Sequence, residues 1–115
     1  MKVLYHVDQR DKWELTLGNV INMLAYGREN NAEFEIEVVA NGPAVADLKE
    51  TEARKNGLHE RLSQIGTETA VCACNNALRG QGILPEELLS FVKVVPAGVV
   101  EIAGKQQEGF AYIKP

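Results

Sequence analysis

The hydrophobic positions of this chain fall into five short β-rich runs separated by segments with helical periodicity. The runs lie at about Lys2–Val7, Phe34–Ala40, Thr69–Ala73, Val92–Val95 and Phe110–Ile113. Helical segments between consecutive strands indicate parallel pairing, since a parallel crossover needs such a connection. The pattern therefore predicts an α/β fold: a three-layer α/β/α sandwich with a five-stranded, mainly parallel sheet.

The most secure helix of this prediction follows the first strand. Its apolar residues recur at helical spacing and are Trp13, Leu17, Val20, Ile21 and Leu24. Asp11 and Glu14 fit a capping box at the start of this helix. Gly27 fits its end, because glycine commonly terminates helices.

The later helical segments are shorter and more interrupted. After the Asn41-Gly42-Pro43 break, the pattern predicts a helical piece at Ala44–Leu48, a solvated loop or helix face at Lys49–Gly57, and a second piece at Leu58–Ile65. It further predicts a short helix from Asn76 that ends at Gly80 and Gly82, a single turn at Pro85–Leu88, and a last helix at Gly98–Gln107.

Length, composition and charge narrow the class of protein. With 115 residues, 45% of them hydrophobic, the chain suits one domain over residues 1–115. The net charge of −4 and the scattered basic residues argue against a sequence-independent nucleic-acid binder. The first strand begins at once, and no apolar stretch has membrane-spanning length, so we expect a cytoplasmic protein with no membrane partner.

Two cysteines lie at the end of the third run, in Thr69-Ala70-Val71-Cys72-Ala73-Cys74. Alternation along a strand puts Cys72 and Cys74 on one face, with Cys72 deeper and Cys74 at the exit. The helix that starts next offers unpaired N–H groups, which stabilise a thiolate, the reactive form of cysteine. Positions so placed are a poor match to disulfide geometry, so we expect free thiols.

Ligands of open parallel sheets bind beyond the carboxyl ends of the strands. The loops at those ends offer one thiol, one imidazole, several amides and backbone donors, from His6 and Asp8, Asn41 and Gly42, Cys74–Asn76, and Pro96–Gly98. His6 is a candidate partner for the Cys74 thiol if the two come close, and is otherwise a structural histidine. His59 has the pattern of a helix-surface residue.

The sequence offers little for metals or phosphates. A Cys-x-Cys pair needs further ligands, and neither of the two histidines stands at a zinc-site spacing. No Gly-x-Gly-x-x-Gly or Walker pattern occurs. We therefore expect no metal and no cofactor. For Cys74 itself, the alternative to a reactive thiol is a small apolar residue packed beneath a loop.

Four stretches and several single residues carry a resemblance to a known family. They are Tyr5–Asp8 with Trp13, Leu17, Asn19 and Asn22; Val38–Pro43; Cys74–Leu78; and Lys105–Pro115. In their order and spacing the chain resembles, over nearly its whole length, the DsrE/DsrF-like family of sulfur-metabolism proteins. The resemblance is to the short single-domain cytoplasmic members with the YchN-like fold.

The resemblance implies that Cys74 is a sulfur acceptor, which carries a persulfide and passes sulfur to a partner's thiol. It also implies a homotrimer or homohexamer and separate sulfur donor and acceptor proteins. In this hypothesis Asn75 and Asn76 cap and orient the loop and His6 assists. Cys72 is an additional cysteine, for which buried packing is favoured over a resolving role.

Two other hypotheses remain open at this point. In one, the chain is a non-catalytic homo-oligomeric module that binds a small ligand through Asn41, Gly42 and Asn76, with Cys74 only packing. In the other, Cys72 and Cys74 form a redox sensor. Thiol reactivity distinguishes the carrier from the binding module.

Overall fold

The computed structural model describes residues 1–115 and contains five strands and five α-helices. The strands are β1 (Lys2–Val7), β2 (Glu35–Ala40), β3 (Ala70–Cys74), β4 (Lys93–Val95) and β5 (Ala111–Ile113). The α-helices are α1 (Trp13–Asn30), α2 (Glu50–Lys55), α3 (His59–Gly66), α4 (Asn75–Gly80) and α5 (Gly98–Gln107). Short 3-10 helices span Arg10–Lys12, Gly42–Leu48 and Pro85–Glu87.

The strands form one sheet in the order β4-β3-β2-β1-β5, and every pair of neighbours is parallel. Tyr5 on the central part of β1 pairs with Val38 of β2 and with Ile113 of β5. The predicted five-stranded parallel sheet and the α/β class are therefore confirmed. None of the helices combines the length and apolar character needed to cross a lipid bilayer.

The two faces of the sheet bury very different cores. On one face, 23 buried residues from the strands and from helices α1 to α4 form the main cluster. On the other face only six residues cluster beneath α5, namely Leu4, Val39, Cys72, Val95, Ile102 and Phe110. Because burial of each large apolar side chain contributes about 1.5–3 kcal/mol, α5 is much less firmly held than α1.

Helix α1 differs from the prediction at both ends. It begins at Trp13, directly after a 3-10 helix, and no side chain caps it, so the predicted Asp11 capping box is wrong. It continues past Gly27 to Asn30 and ends where Asn31 adopts the left-handed conformation, with φ of 54°. Gly27 serves a close approach instead: a Cβ there would lie 2.8 Å from the Ala32 carbonyl oxygen.

An ion pair between a half-exposed arginine and a buried aspartate fastens the loops after β1 and β2 to each other. Asp47 is 2% exposed and accepts hydrogen bonds from Arg10 Nε at 3.0 Å and Arg10 Nη2 at 2.9 Å. Asn56 Nδ2 donates to the same carboxylate over 2.8 Å. The polar segment predicted as a loop or helix face contains α2, whose residue Glu52 also pairs with Arg10.

Candidate functional site

The connections that leave β3 and β4 diverge to opposite faces of the sheet. Helix α4 follows β3 and contributes Leu78 to the large core, whereas α5 follows β4 and contributes Ile102 to the small one. Such a divergence opens a crevice between the carboxyl ends of two neighbouring parallel strands, which is the usual ligand position in this class of fold. Cys74, the last residue of β3, stands at this crevice opposite Val95.

Cys74 is packed against the first turn of α5. A Cβ added to Gly98 would lie 3.3 Å from the Cβ of Cys74 and 3.1 Å from the Cβ of Asn41. Glycine at this position therefore lets the helix approach the two side chains closely. The Cys74 side chain makes no hydrogen bond within the protein, and the residue is only 7% exposed. The strand pattern predicted the Cys74 thiol at an accessible strand end, whereas in the structure this residue is buried.

Two helices begin beside Cys74: α4, which follows it directly in sequence, and α5. Cys74 occupies the N-cap position of α4, which has six residues. On the face where its side chain lies, the neighbouring helix is α5, which has ten residues and begins at Gly98. The first N–H groups of a helix lack intrahelical partners and favour negative charge. The N-terminus of α5, which begins 24 residues after Cys74 (98 − 74), therefore also favours the thiolate form of this cysteine.

His6, Asn41 and Tyr112 form a chain of hydrogen bonds that leads to the crevice. His6 Nδ1 lies 2.6 Å from the Tyr112 hydroxyl, and His6 Nε2 lies 2.9 Å from Asn41 Oδ1. An amide oxygen only accepts, so Nε2 carries a proton and donates to it. In a neutral imidazole Nδ1 is then the acceptor for the tyrosine hydroxyl. Both ring nitrogens are engaged, and His6 makes no hydrogen bond to Cys74.

The amide nitrogen of Asn41 faces the thiol side of this chain. Asn41 Nδ2 lies 3.5 Å from the point that a Gly98 Cβ would occupy, close to where Cys74 packs. Its oxygen is engaged by His6, whereas Nδ2 has no acceptor among the hydrogen bonds of the protein. Asn41 therefore presents a free donor, held in orientation by His6, beside the thiol.

An ion pair borders the same edge of the sheet. Lys114 Nζ lies 3.0 Å from Asp8 Oδ1, and this lysine follows β5 directly. The hydrogen bond and charge of Lys114, together with His6, hold the pKa of Asp8 below its ordinary value, against a smaller opposing effect of burial. The last strand thus delivers both Tyr112 and Lys114 to the carboxyl edge.

The remaining predicted site residues surround the crevice without closing it. Gly42 follows Asn41 and begins a 3-10 helix, and its carbonyl oxygen accepts a hydrogen bond from Gln81 Nε2 at 3.0 Å. Asn75 and Asn76 form the first turn of α4, and neither side chain donates or accepts a hydrogen bond within the protein. Cys74 occupies the N-cap position of α4, and the prediction that Asn75 and Asn76 cap this loop is wrong. His59 begins α3, and its Nε2 lies 3.9 Å from Glu50 Oε1.

Cys72 belongs to a separate buried cluster under α5. It is 2% exposed, as expected, and its thiol donates to Glu37 Oε1 over 3.3 Å. Ligand-type atoms of Glu37, Cys72 and Glu101 lie within 4.8 Å of one another, which is the spacing of a metal site. The Lys105 ammonium, 3.7 Å from Glu37 Oε2, already supplies a cation. Burial and the negative charge of Glu37 raise the pKa of Cys72, so this thiol stays protonated.

The measured cavities do not include Cys74. One of about 440 Å³ lies at the amino-terminal ends of β2 and β3, beside Phe34 and Phe110. Another of about 420 Å³ lies beside Arg10 and Asp47. Ligand pockets are usually well enclosed, and these hollows are shallow. The first lies at the opposite edge of the sheet from Cys74, and the second lies among the loops after β1 and β2 without being lined by Cys74.

Tyr112 and Gly98 take part in this arrangement in ways the sequence did not single out. Gly98 lies in a loop named above as part of the carboxyl edge, but its contact with Cys74 depends on α5 crossing the opposite face. In the sequence, Tyr112 is only one residue of a stretch that resembles the DsrE/DsrF-like family. Its role depends on β5 pairing with β1, which no local pattern indicates.

The fold and site define a class: α/β proteins with a parallel sheet, helices on both faces, and a cysteine at the crevice where the connections diverge. The DsrE/DsrF-like family model matches residues 3–115, and the chain belongs to that family. Among solved structures it is similar to the protein of unknown function MTH1491 from Methanobacterium thermoautotrophicum, with 32% identity and a TM-score of 0.84, over 99% of this chain and 98% of that one. No curated protein matches it significantly.

Proposed function

We propose that this protein is a sulfur carrier that holds a persulfide on Cys74. The observation that supports this most strongly is the position of Cys74, in a chain of the DsrE/DsrF-like family, at the crevice between β3 and β4. In that position Cys74 and Asn41 pack together against the first turn of α5. The Asn41 amide and the N-terminus of α5 favour an anionic sulfur.

The proposed transfer proceeds in two thiol–disulfide-type exchanges. The Cys74 thiolate attacks the outer sulfur of a donor persulfide, so the S–S bond of the donor breaks and the donor leaves as a thiolate that takes up a proton. A thiolate of an acceptor protein then attacks the outer sulfur on Cys74, and the Cys74 thiolate is released. No external oxidant or reductant is consumed, because one S–S bond forms as each S–S bond breaks.

The residues around Cys74 have three distinct roles in this proposal. The Asn41 amide donates to the anionic sulfur, and His6 and Tyr112 act as positioning residues that keep the amide oxygen turned away from it. His6 acts through Asn41 and not as a direct base, since neither of its ring nitrogens is free. Gly42, Asn75 and Asn76 line the approach of the donor or acceptor.

The proposal includes partners and a location. Donor and acceptor proteins supply and remove the sulfur, and copies of the chain assemble as a homotrimer or homohexamer. The cytoplasm suits this chemistry, because thiols stay reduced there.

Persulfide loading tests the proposal. The protein is incubated with a low-molecular-weight persulfide donor, and the Cys74 peptide is examined by mass spectrometry for one added sulfur. Loading of wild type and Cys72→Ser but not of Cys74→Ser supports the carrier. No added sulfur on Cys74 with a range of donors refutes it.

The near-complete burial of Cys74 favours a second candidate, a non-catalytic module that binds a small ligand through Asn41, Gly42 and Asn76. Alkylation separates the two. If Cys74 reacts more slowly than a model thiol in the folded protein at every pH tested, the module is favoured. Rapid, selective labelling of Cys74 supports the carrier.

A further inference from the structure

Cys74 is covered mainly by a helix with a weak apolar hold. Of the ten residues of α5, only Gly98 and Ile102 are buried. Gly98 packs against Cys74, while the next two residues, Val99 and Val100, project into solvent. A helix docked through one isoleucine and one glycine depends on its polar contacts to stay in place.

Those polar contacts converge on one buried carboxyl group. Glu37 on β2 is 5% exposed and accepts a hydrogen bond from the Cys72 thiol. Glu101 of α5 brings its carboxyl oxygen within 4.8 Å of the Glu37 and Cys72 atoms. Two ionised carboxyl groups at this separation repel each other, and a proton on Glu37 removes that repulsion. Protonation of Glu37 therefore favours the docked position of α5.

The other charges near Glu37 modify this attachment without replacing it. Lys105, also on α5, lies 3.7 Å from Glu37 Oε2 but shares its charge with Glu108, 3.8 Å away. Lys93 on β4 and Glu35 on β2 act on the cluster only through their charges. From β1, Lys2 reaches the carbonyl oxygen of Glu108 at 3.4 Å.

The proton on Glu37 is lost near neutrality. Burial, and then the hydrogen bond and charge of Glu101, raise the pKa of Glu37 to about 7. The attachment of α5 is therefore complete in mildly acidic solution and weakens as the pH rises through neutrality.

We propose that α5 is a lid over Cys74, held closed while Glu37 carries a proton beside Glu101 and released when that proton is lost. Release swings the first turn of α5 away from Cys74 and admits a donor or acceptor thiol. The inference concerns regulation of the sulfur transfer proposed above and rests on it. It accounts for a thiol that is 7% exposed in the closed form and still able to react.

Alkylation of Cys74 across pH tests the lid. The rate with iodoacetamide is measured by mass spectrometry on the Cys74 peptide at about pH 6 and about pH 8, for wild type and Glu101→Gln. Glutamine is uncharged and cannot repel Glu37 at either pH value, so the variant stays closed. We expect the ratio of wild-type to variant rates to rise about tenfold between the two pH values. Thiol ionisation raises both rates and leaves the ratio unchanged.

Two further measurements keep the test decisive. Glu60→Gln, an exposed glutamate on α3, is the matched control and should follow wild type at both pH values. If Glu101→Gln fails to fold, Glu37→Gln takes its place. Amide hydrogen exchange of wild-type residues 98–107, corrected for the intrinsic pH dependence of exchange, should accelerate several-fold more than that of α1.

A rate ratio that stays constant, with equal corrected exchange in α5 and α1, overturns the lid. Neither measurement requires sulfur transfer. If these measurements overturn the lid, persulfide loading still tests the carrier independently. If persulfide loading fails, the same measurements still report whether α5 moves.

Discussion

The hydroxyl of Tyr112 lies 2.6 Å from Nδ1 of His6, although 106 residues separate the two in sequence. Because the Asn41 amide oxygen accepts from Nε2, Nδ1 accepts from the tyrosine hydroxyl, and the imidazole is held between the two partners with the amide oxygen turned to His6. The orientation of the one free side-chain donor beside the thiol is therefore set by a residue of the last strand.

Replacing Tyr112 by phenylalanine should lower the rate of Cys74 alkylation. Loss of the hydroxyl frees His6 Nδ1, so the imidazole and the Asn41 amide are no longer held in one orientation. We expect a rate decrease of about threefold and a stability loss of about 1 kcal/mol. Mass spectrometry and urea denaturation measure these effects. Tyr26→Phe, at an exposed position of α1, is the control, and an equal decrease there would contradict the positioning role.

Alanine at Gly98 should destabilise the protein, because the added Cβ stands 3.1 Å and 3.3 Å from the Cβ atoms of Asn41 and Cys74. Either α5 or the two side chains must shift, at a cost of about 1–2 kcal/mol. Gly104→Ala is a matched control in the same helix, with nothing within 4 Å of its added Cβ. Helix propensity predicts a gain of up to about 1 kcal/mol for that variant. Thermal denaturation in which both variants shift in the same direction would argue against a tight contact at Gly98.

Loss of Arg10 should be costly, since it leaves the carboxylate of Asp47 buried with only Asn56 as a donor. We expect Arg10→Ala to lower the free energy of unfolding by about 2–3 kcal/mol. Arg54→Ala breaks an exposed pair with Glu50 on the same surface and should cost less than about 0.5 kcal/mol. Guanidinium denaturation compares the two, and similar losses would show that Asp47 is not held by Arg10.

The stability of the protein should fall as the pH rises towards neutrality. The pKa of Glu37 rises from 4.5 to about 7 in the folded state, so the folded protein binds this proton more tightly than the unfolded chain does. The resulting stabilisation is full below 4.5 and is lost as the pH rises through 7.

Glu37→Gln removes that titration, so its unfolding free energy should change less with pH over the same interval. Urea denaturation at several pH values provides the measurement, and Glu60→Gln again serves as control. Parallel pH profiles for wild type and Glu37→Gln would mean that the proton on Glu37 does not stabilise the fold.

The sequence predicted the sheet well because each strand is a local pattern, and the bounds of β1 and α5 agree with the prediction. It predicted the ends of α1 poorly. A capping box needs a residue in the N-cap conformation, but the chain enters α1 through a 3-10 helix, and Gly27 is explained by its contact with Ala32.

The candidate site was predictable only in part, for a physical reason. His6, Asn41 and Cys74 each lie at or beside the carboxyl end of a strand, so parallel pairing alone brings them to one edge. Tyr112 joins them only because β5 adds beside β1, and Glu37 reaches Glu101 only because α5 crosses the small-core face. Both depend on the order of strands, which hydrophobic periodicity does not encode. The same long-range packing covers Cys74, which the strand pattern placed at an exit.

The pairing of β5 with β1 also has a consequence for how the molecule folds. Residues 3–5 meet residues 111–113, so this pairing must close a loop of nearly the entire chain, and such non-local contacts form slowly. During synthesis β1 emerges before β5, so His6 has no tyrosine partner until Tyr112 has left the ribosome. A nascent chain would therefore have its thiol and most of its sheet well before the hydrogen-bond chain beside that thiol is complete.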